Sequence, residues 1–192
     1  RPSRESVGRA GGSGSRTGMA GQARANREID WYLEGLMPET KAELISTATK
    51  IALQFAVDPI SFCALIENES SWNPLAYRYE EAFYEKDIVP MNLSATEGKG
   101  RAASYGLCQV LGEVARELGF REDFSLLSSP DINLYLGCKK LKRCLDQHGG
   151  LTQESLLAYN GGGDPGYPAR VIARMANYMP QPNIEIGAFE DD

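Results

Sequence analysis

Apolar residues recur at three- and four-residue spacing along most of the chain, a pattern typical of helices that each bury one face. No run alternates between apolar and polar residues for long enough to require a strand, and no internal repeat is present. The predicted helices span residues 28–36, 40–55, 58–69, 110–118, 130–147, 152–159 and 168–179. The pattern therefore predicts an all-α fold, in one domain over residues 28–180.

The helix that begins near Asp58 leads to the most informative side chain, Glu69. Asp58 is a good N-cap, and Pro59 suits the first helical position because the missing N–H has no partner there. Glu69 continues the apolar stripe of this helix, which consists of Phe62, Leu65 and Ile66. A carboxyl group that faces the core loses solvation, so its pKa rises and it can hold a proton near neutral pH, as a general acid must. The competing interpretation is a surface carboxylate at a frayed helix end. Glu67 falls on almost the opposite face, and we expect it to be solvated.

Length and charge exclude several classes of protein. The 192 residues suffice for one domain with a sizeable core. The net charge is −6, although residues 1–28 carry six arginines against two glutamates. The body of the chain is therefore acidic, which argues against a nucleic-acid-binding domain. No apolar run approaches the ~18 residues of a membrane span, and no secretory signal is visible.

The two ends of the chain differ in composition from its body. Residues 1–26 are rich in Gly, Ser and Arg and contain no aromatic residue. Such a segment cannot bury enough surface to fold alone, so we expect a disordered arm over residues 1–27. This arm is a linker, the remnant of a tag, or a segment that becomes ordered on a partner. Residues 181–192 form an acidic tail.

Cysteine and histidine give no sign of metal chemistry. The C-x-x-C spacing is absent, and the four cysteines are Cys63, Cys108, Cys138 and Cys144. The last two lie on one predicted helix, about 9 Å apart along its axis, and cannot bridge without breaking it. The only histidine, His148, reads as a helix-end residue. A single histidine excludes the H-E-x-x-H zinc motif and disfavours a histidine-based triad.

Three further segments combine glycine with polar side chains. Gly106 lets the backbone approach a neighbour or a ligand closely, and Gln109 offers both a donor and an acceptor. Tyr159 and Asn160 place a phenol and an amide at a helix end, although such a tyrosine is more often part of a core. The segments read Ser104-Tyr105-Gly106-Leu107-Cys108-Gln109-Val110, Asp131-Ile132-Asn133-Leu134-Tyr135-Leu136-Gly137 and Leu157-Ala158-Tyr159-Asn160-Gly161-Gly162-Gly163.

Together with the segment after Glu69, and in this order, these motifs resemble the catalytic domain of the soluble lytic transglycosylases, within the lysozyme-like superfamily. The family pattern is E-S-x-F/W-x-P, then G-L-M-Q, then N-I-x-x-G, then A-Y-N-x-G. The chain matches it over about residues 43–178 with Glu69-Ser70-Ser71-Trp72-Asn73-Pro74, Gly106-Leu107-Cys108-Gln109, Asn133-Leu134-Tyr135-Leu136-Gly137 and Ala158-Tyr159-Asn160-Gly161-Gly162.

The resemblance implies cleavage of the β-1,4 bond between N-acetylmuramic acid and N-acetylglucosamine in peptidoglycan, with formation of 1,6-anhydro ends. In that reaction Glu69 acts first as the acid and then as the base, and Tyr159 hydrogen-bonds and orients it. Peptidoglycan strands are the implied partner, and no metal or organic cofactor is required. The residues that the resemblance places along the substrate groove are Ser70, Ser104, Tyr105, Gly106, Gln109 and Asn160.

The chain departs from the family pattern at three places. Cys108 replaces the methionine that packs on the sugar, and Leu134 replaces isoleucine. The gap between Glu69 and Gly106 is longer than usual, and the added segment over 77–103 looks like the insertion of phage-associated members. We expect this insertion to border the groove. Its tyrosines, above all Tyr79 and Tyr84, would stack on sugar rings, and its carboxylates are Glu80, Glu81, Glu85, Asp87 and Glu97.

Two other functions remain open. A lysozyme-type hydrolase on the same fold would use a carboxylate of the insertion to activate water. A structural or ejection protein of a virion would carry the domain without activity, and its arm would contact other virion proteins. The expected location is accordingly the periplasm or cell envelope of a host, or a virion.

Overall fold

Most of residues 39–180, the part of the chain that the computed structural model describes, is helical. The prediction of a helical fold class is confirmed. The arm over 1–27, the predicted helix over 28–36 and the acidic tail over 181–192 lie outside the described residues. Within residues 39–180, no helix is both long enough and apolar enough to cross a membrane.

The first two helices begin where their caps predict. Helix α1 spans Lys41–Gln54 behind Thr40, whose hydroxyl accepts a hydrogen bond from the backbone of Glu43 while the Glu43 carboxylate accepts one from the backbone of Thr40. Helix α2 spans Pro59–Ser70 behind Asp58, whose carboxylate accepts two backbone N–H groups. The apolar stripe of α2 is fully buried, namely Phe62, Leu65 and Ile66. The last turn of α2 therefore carries Glu69 at a fixed rotation relative to the core.

The insertion over 77–103 is an ordered segment. It begins with strand β1, Tyr77–Tyr79, and ends with helix α4, Ala95–Arg101. Between them the chain runs through short helical turns, which are α3, Glu81–Phe83, then a π-helix, Tyr84–Ile88, and a 3-10 turn, Val89–Met91. Ile88 is buried beneath these turns.

A small antiparallel sheet, which the sequence pattern did not predict, pairs the start of the insertion with the residues at its end. Strand β2, Ala103–Tyr105, lies between β1 and β3, Val110–Leu111. The register places Ser104 opposite both Arg78 and Leu111. The predicted helix over 110–118 is accordingly shorter, because Val110 and Leu111 join the sheet and helix α5 spans only Gly112–Glu117. The strands are two or three residues long, too short to show alternation.

The remaining helices agree closely with the predicted ones. They are α6, Pro130–Gln147, α7, Gln153–Asn160, and α8, Tyr167–Met175, with 3-10 turns at Phe124–Ser128 and Ala176–Tyr178. Helix α2 packs on α1 and α8, while α7 packs on α6 and α8. All four cysteines are buried and free.

The buried side chain of Asn133 connects the start of α6 to the segment between β2 and β3 through hydrogen bonds. This side chain has no exposed surface. The amide oxygen accepts the Cys108 N–H at 2.7 Å, and the amide nitrogen donates to the backbone oxygens of Tyr105 and Leu127, both at 2.8 Å. The motif asparagine therefore has a structural task, which is to satisfy three buried backbone groups next to the pocket described below.

We expect Asn133→Ala to lower the free energy of unfolding by about 3 kcal/mol or more. The substitution leaves three buried backbone groups without partners, and each such group costs ~1–3 kcal/mol. Urea denaturation at neutral pH measures the change. Gln147→Ala, at an exposed position of the same helix, is the control and should cost less than ~0.5 kcal/mol. A loss below ~1 kcal/mol at Asn133 would contradict the assigned task.

An ion-pair network fastens the insertion to the body of the domain. Glu97 on α4 accepts hydrogen bonds from Arg116 Nε at 2.9 Å and Arg116 Nη2 at 3.0 Å, and from Arg101 Nε at 2.8 Å. The Arg116 hydrogen bond is the main cause that lowers the Glu97 pKa, to about 2. The Arg116 guanidinium also lies 3.9 Å from the ring centroid of Phe124.

We expect Glu97→Gln to lower stability at pH 7 by about 1 kcal/mol, since the network is partly exposed and therefore screened. The folded-state pKa lies below the unfolded value, so this stability is present above the unfolded pKa and is lost as pH falls toward about 2. Denaturant midpoints of both proteins between pH 7 and pH 2 should converge at the acid end. Glu85→Gln, at an exposed position of the same segment, should follow the unsubstituted protein throughout; a constant gap for Glu97→Gln would contradict the assignment.

Candidate active site

A pocket opens beside the last turn of α2, and Glu69 is part of its wall. Its lining comes from six places in the fold, which are α2, the start of the insertion, the sheet with the turn between β2 and β3, α5, α6 and α7. The polar side chains include Glu69, Glu80, Ser104, Gln109, Lys140 and Asn160. Residues far apart in sequence are therefore collected around one carboxyl group.

The pKa of the Glu69 carboxyl group is raised above its ordinary value. Loss of solvation is the main cause that raises its pKa. The hydrogen bond from the Tyr167 hydroxyl, 2.5 Å from Glu69 Oε1, opposes the rise, as do the charges of Lys140 and Arg78. A carboxyl group that is desolvated, but is held by a donor and faced by cations, can both release and recover a proton.

The loop between α7 and α8 brings Tyr167 to Glu69. Asp164 organises this loop, because its carboxylate accepts the Gly166 N–H at 2.9 Å and pairs with Arg170, while its backbone oxygen accepts the Tyr167 N–H at 3.0 Å. Tyr167 thus begins α8 with its side chain buried against α2. Burial is the main cause that raises the pKa of Tyr167, so the phenol remains a hydrogen-bond donor.

The predicted hydrogen bond from Tyr159 to Glu69 is wrong, and Tyr167 makes that contact. The Tyr159 hydroxyl instead donates to the backbone oxygen of Cys108 at 2.9 Å. Tyr159 is fully buried at the end of α7. Its oxygen partner belongs to Cys108, which packs against Gly137. Tyr159 does line the pocket, and this is the only part of the prediction that the structure matches. Cys108 has no exposed surface and does not line the pocket, so it cannot take the place of a methionine on a sugar.

The predicted groove residues divide into two sets. Ser104, Gln109 and Asn160 line the pocket with Glu69. Ser70, Tyr105 and Gly106 are not part of that lining. The Ser70 hydroxyl donates to the backbone oxygen of Ile66 on its own helix. The Tyr105 ring stacks on Phe124, and the Tyr105 hydroxyl donates to the backbone oxygen of Gly100.

Gly106 meets a packing requirement beside the pocket. Its φ is +67°, and a Cβ there would lie 2.6 Å from Asn133 Nδ2 and 2.8 Å from the Leu127 oxygen. Only glycine fits such a close approach. Of the two alternatives for this glycine, the close approach to a neighbour is confirmed, and the approach to a ligand stays a prediction.

The backbone directly after Glu69 is strained. Ser71 and Trp72 have φ values of +52° and +67°, and Gln109, which also lines the pocket, has +45°. Such conformations cost free energy in residues other than glycine and concentrate at functional sites. Trp72 is buried and donates from Nε1 to the Tyr178 hydroxyl at 2.7 Å, which holds the turn in place.

Glu67 is held by protein groups, contrary to the expectation of a solvated side chain. The Tyr178 hydroxyl donates to its carboxylate at 2.5 Å, and the Asn177 amide lies at 3.4 Å from it. Desolvation of the half-buried carboxylate acts to raise the Glu67 pKa, but these donors and nearby cations together outweigh it, so the pKa is lowered. The two carboxyl groups of α2 therefore have opposite pKa shifts, and only Glu69 lines the pocket.

The insertion borders the pocket as predicted, although through other residues. Arg78, Glu80 and Phe83 line it. Tyr79 and Tyr84 pack on each other, with ring centroids 5.9 Å apart, and do not line the pocket. The sequence pattern named the aromatic residues of this segment but could not assign their directions.

Sequence reasoning missed Tyr167 and Lys140. Tyr167 follows a glycine-rich loop whose path no spacing rule describes. Lys140 lies seven residues after Asn133 on α6, so helical periodicity does place both on one face. A lysine on the same helix face as the motif residue Asn133 was the feature of the sequence that could have indicated Lys140.

Comparison with known proteins agrees with the order of the motifs. The family model described as "Transglycosylase SLT domain" matches residues 46–170, which include Glu69, all four motifs and Tyr167. Neither the curated proteins nor the solved structures contain a match to the chain.

Proposed function

Since the chain belongs to the Transglycosylase SLT domain family, whose members are lytic-transglycosylase-type domains that act on peptidoglycan, we propose that it cleaves the β-1,4 bond between N-acetylmuramic acid and N-acetylglucosamine with formation of a 1,6-anhydro ring. The observation that carries this proposal is the Glu69 carboxyl group, desolvated in the wall of a pocket and held by Tyr167.

In the proposed reaction, Glu69 supplies and then recovers one proton. It first protonates the glycosidic oxygen, and the bond to the muramyl C1 breaks while the substrate's own N-acetyl group stabilises the cation. The ionised Glu69 then takes the proton of the muramyl C6 hydroxyl as that oxygen bonds to C1. The anhydro ring closes without water, so a second catalytic carboxylate is unnecessary. Acid and base catalysis by one group requires a pKa near the working pH, which the raised pKa of Glu69 favours.

Three side chains of the pocket wall are proposed to bind the glycan. Ser104, Gln109 and Asn160 present hydroxyl and amide groups next to Glu69. The Gln109 amide nitrogen already donates to the backbone oxygens of Ala76 and Gly106, which fixes the orientation of this side chain. We place the activity in the cell envelope, where peptidoglycan is found.

A lysozyme-type hydrolase is the second candidate, and Glu80 is the observation that favours it. This carboxylate lines the same pocket as Glu69 and pairs with Arg78 at 2.5 Å. An inverting hydrolase needs a base ~6.5–9.5 Å from the acid, with room for a water molecule. Glu81 and Asp87, the other carboxylates considered for this role, do not line the pocket.

Digestion of purified peptidoglycan tests whether the protein is an enzyme at all. The proposal predicts release of soluble muropeptides by the unsubstituted protein. A protein that binds peptidoglycan but releases no fragments would be a non-catalytic carrier of the domain. Glu80→Gln separates the two enzyme candidates: a transglycosylase should retain most of its activity, whereas a hydrolase that uses Glu80 as base should lose at least ~10²-fold.

A further inference from the structure

Lys140 is a cation of the pocket that neither the motifs nor the proposed reaction uses. It lies in the middle of α6 and lines the pocket together with Glu69. Its ammonium group is 4.0 Å from the ring centroid of Tyr159, a distance at which the ring attracts a cation. The contact fixes the ammonium group in the wall of the pocket.

The other cations near Glu69 already have carboxylate partners. Arg78 pairs with Glu80, Arg143 with Glu117 and Arg170 with Asp164. Within residues 39–180, Lys140 has no carboxylate at ion-pair distance, and this includes Glu69. The charges of Lys140 and Glu69 therefore interact across the pocket, without a direct bond.

Both groups are desolvated, which strengthens their interaction. Burial is the main cause that lowers the pKa of Lys140, and the charge of Glu69 opposes this. Lys140 in turn is the cation that most lowers the pKa of Glu69. Charges in a partly dry pocket interact more strongly than charges in water.

We propose that Lys140 is a positioning residue of this site, whose fixed positive charge stabilises the ionised form of Glu69 in the interval between its two proton transfers. The role rests on the proposed function, because that reaction leaves Glu69 negatively charged halfway. Lys140 keeps its proton throughout, and no bond to it forms or breaks.

Other groups around the pair come from every neighbouring element. They are Arg78 and Glu80 of the insertion, Cys108 of the turn between β2 and β3, Arg143 and Cys144 of α6, Tyr159 of α7, and Tyr167 and Arg170 of α8.

Loss of the Lys140 charge has two expected effects. The ionised form of Glu69 becomes less stable, so the group gives up its proton less readily and turnover falls about tenfold. The pH at which Glu69 loses its proton rises, so the alkaline limb of the kcat/KM profile moves up by about one pH unit.

Three substitutions on α6 make the test specific to charge. Lys140→Met removes the charge at similar length, and Lys140→Arg retains it. Lys142→Met removes a lysine charge that pairs with Asp146, and serves as the matched control. The proposal predicts a raised alkaline limb for Lys140→Met only. An unmoved limb in Lys140→Met, even with lower kcat or a lower melting temperature, would show that Lys140 is only structural and would overturn the proposal.

An NMR titration makes the test independent of activity. The side-chain carboxyl carbon of Glu69, assigned by its absence in Glu69→Gln, should titrate at higher pH in Lys140→Met than in the unsubstituted protein. If Lys140→Met fails to fold, the reciprocal measurement decides: the pKa of Lys140 should fall in Glu69→Gln, because coupling is mutual. Absence of both shifts overturns the proposal for Lys140. If the pKa values of Glu69 and Lys140 depend on each other but the protein releases no glycan fragments, the proposed function is contradicted and the interaction between the two residues is not.

Discussion

Glu69→Gln is expected to reduce cleavage of peptidoglycan by at least ~10²-fold, because it removes the group that both protonates the leaving oxygen and recovers the proton. The fold should remain intact. The folded-state pKa of Glu69 is raised, so at pH 7 the ionised carboxylate opposes folding, and a neutral amide should keep or increase the melting temperature. Fragment release and thermal unfolding of the same preparation measure both effects.

Glu67→Gln is the matched control on the same helix. Glu67 is bound by Tyr178 and Asn177 outside the pocket, so its substitution should cost stability and leave turnover within about twofold. The opposite result, in which Glu67→Gln is inactive and Glu69→Gln is active, would mean that the pocket assigned to Glu69 is not the catalytic one.

Tyr167→Phe should lower kcat by about tenfold and lower the melting temperature less than Tyr159→Phe, because Glu69 lines the pocket, where water can replace the lost donor. The substitution removes the donor that holds Glu69 Oε1, and a misplaced acid is a slower catalyst. The same hydrogen bond favours the ionised carboxylate, so its loss should also move the alkaline limb of the activity profile to higher pH. Steady-state kinetics between pH 5 and pH 9 provide both quantities.

Tyr159→Phe is the comparison that separates the two tyrosines. It removes the donor to the buried Cys108 oxygen, so we expect a loss of ~1–3 kcal/mol in stability. Its effect on the alkaline limb should be small. A larger catalytic effect at Tyr159 than at Tyr167 would restore the assignment that the motif suggested and contradict the one drawn from the structure.

Local rules predicted much of the fold. Thr40, Asp58 and Thr152 cap the helices that their sequences indicated, and Pro130 begins the long helix α6. These features depend on residues within one turn of each other. The strands over residues 77–79, 103–105 and 110–111 escaped prediction because their pairing joins segments far apart in the chain.

The candidate site was predictable only in part, for a related reason. Helical periodicity placed Glu69 on the buried face of α2 because the apolar residues that define this face belong to the same helix. Which tyrosine donates to Glu69, Tyr159 or Tyr167, depends on the path of the loop over 161–166, and the glycines of this loop permit many paths. The arrangement of Asp164, which fixes one of these paths, is a tertiary feature.

The mass of the released muropeptides tests the proposed reaction most directly. Ring closure by the C6 hydroxyl retains no water, so the account predicts fragments with 1,6-anhydromuramic ends, each one water lighter than the hydrolysed product. Mass spectrometry of a peptidoglycan digest separates the two. A digest dominated by the heavier species, and lost in Glu80→Gln, would contradict the transglycosylase mechanism and assign the chain to the hydrolases.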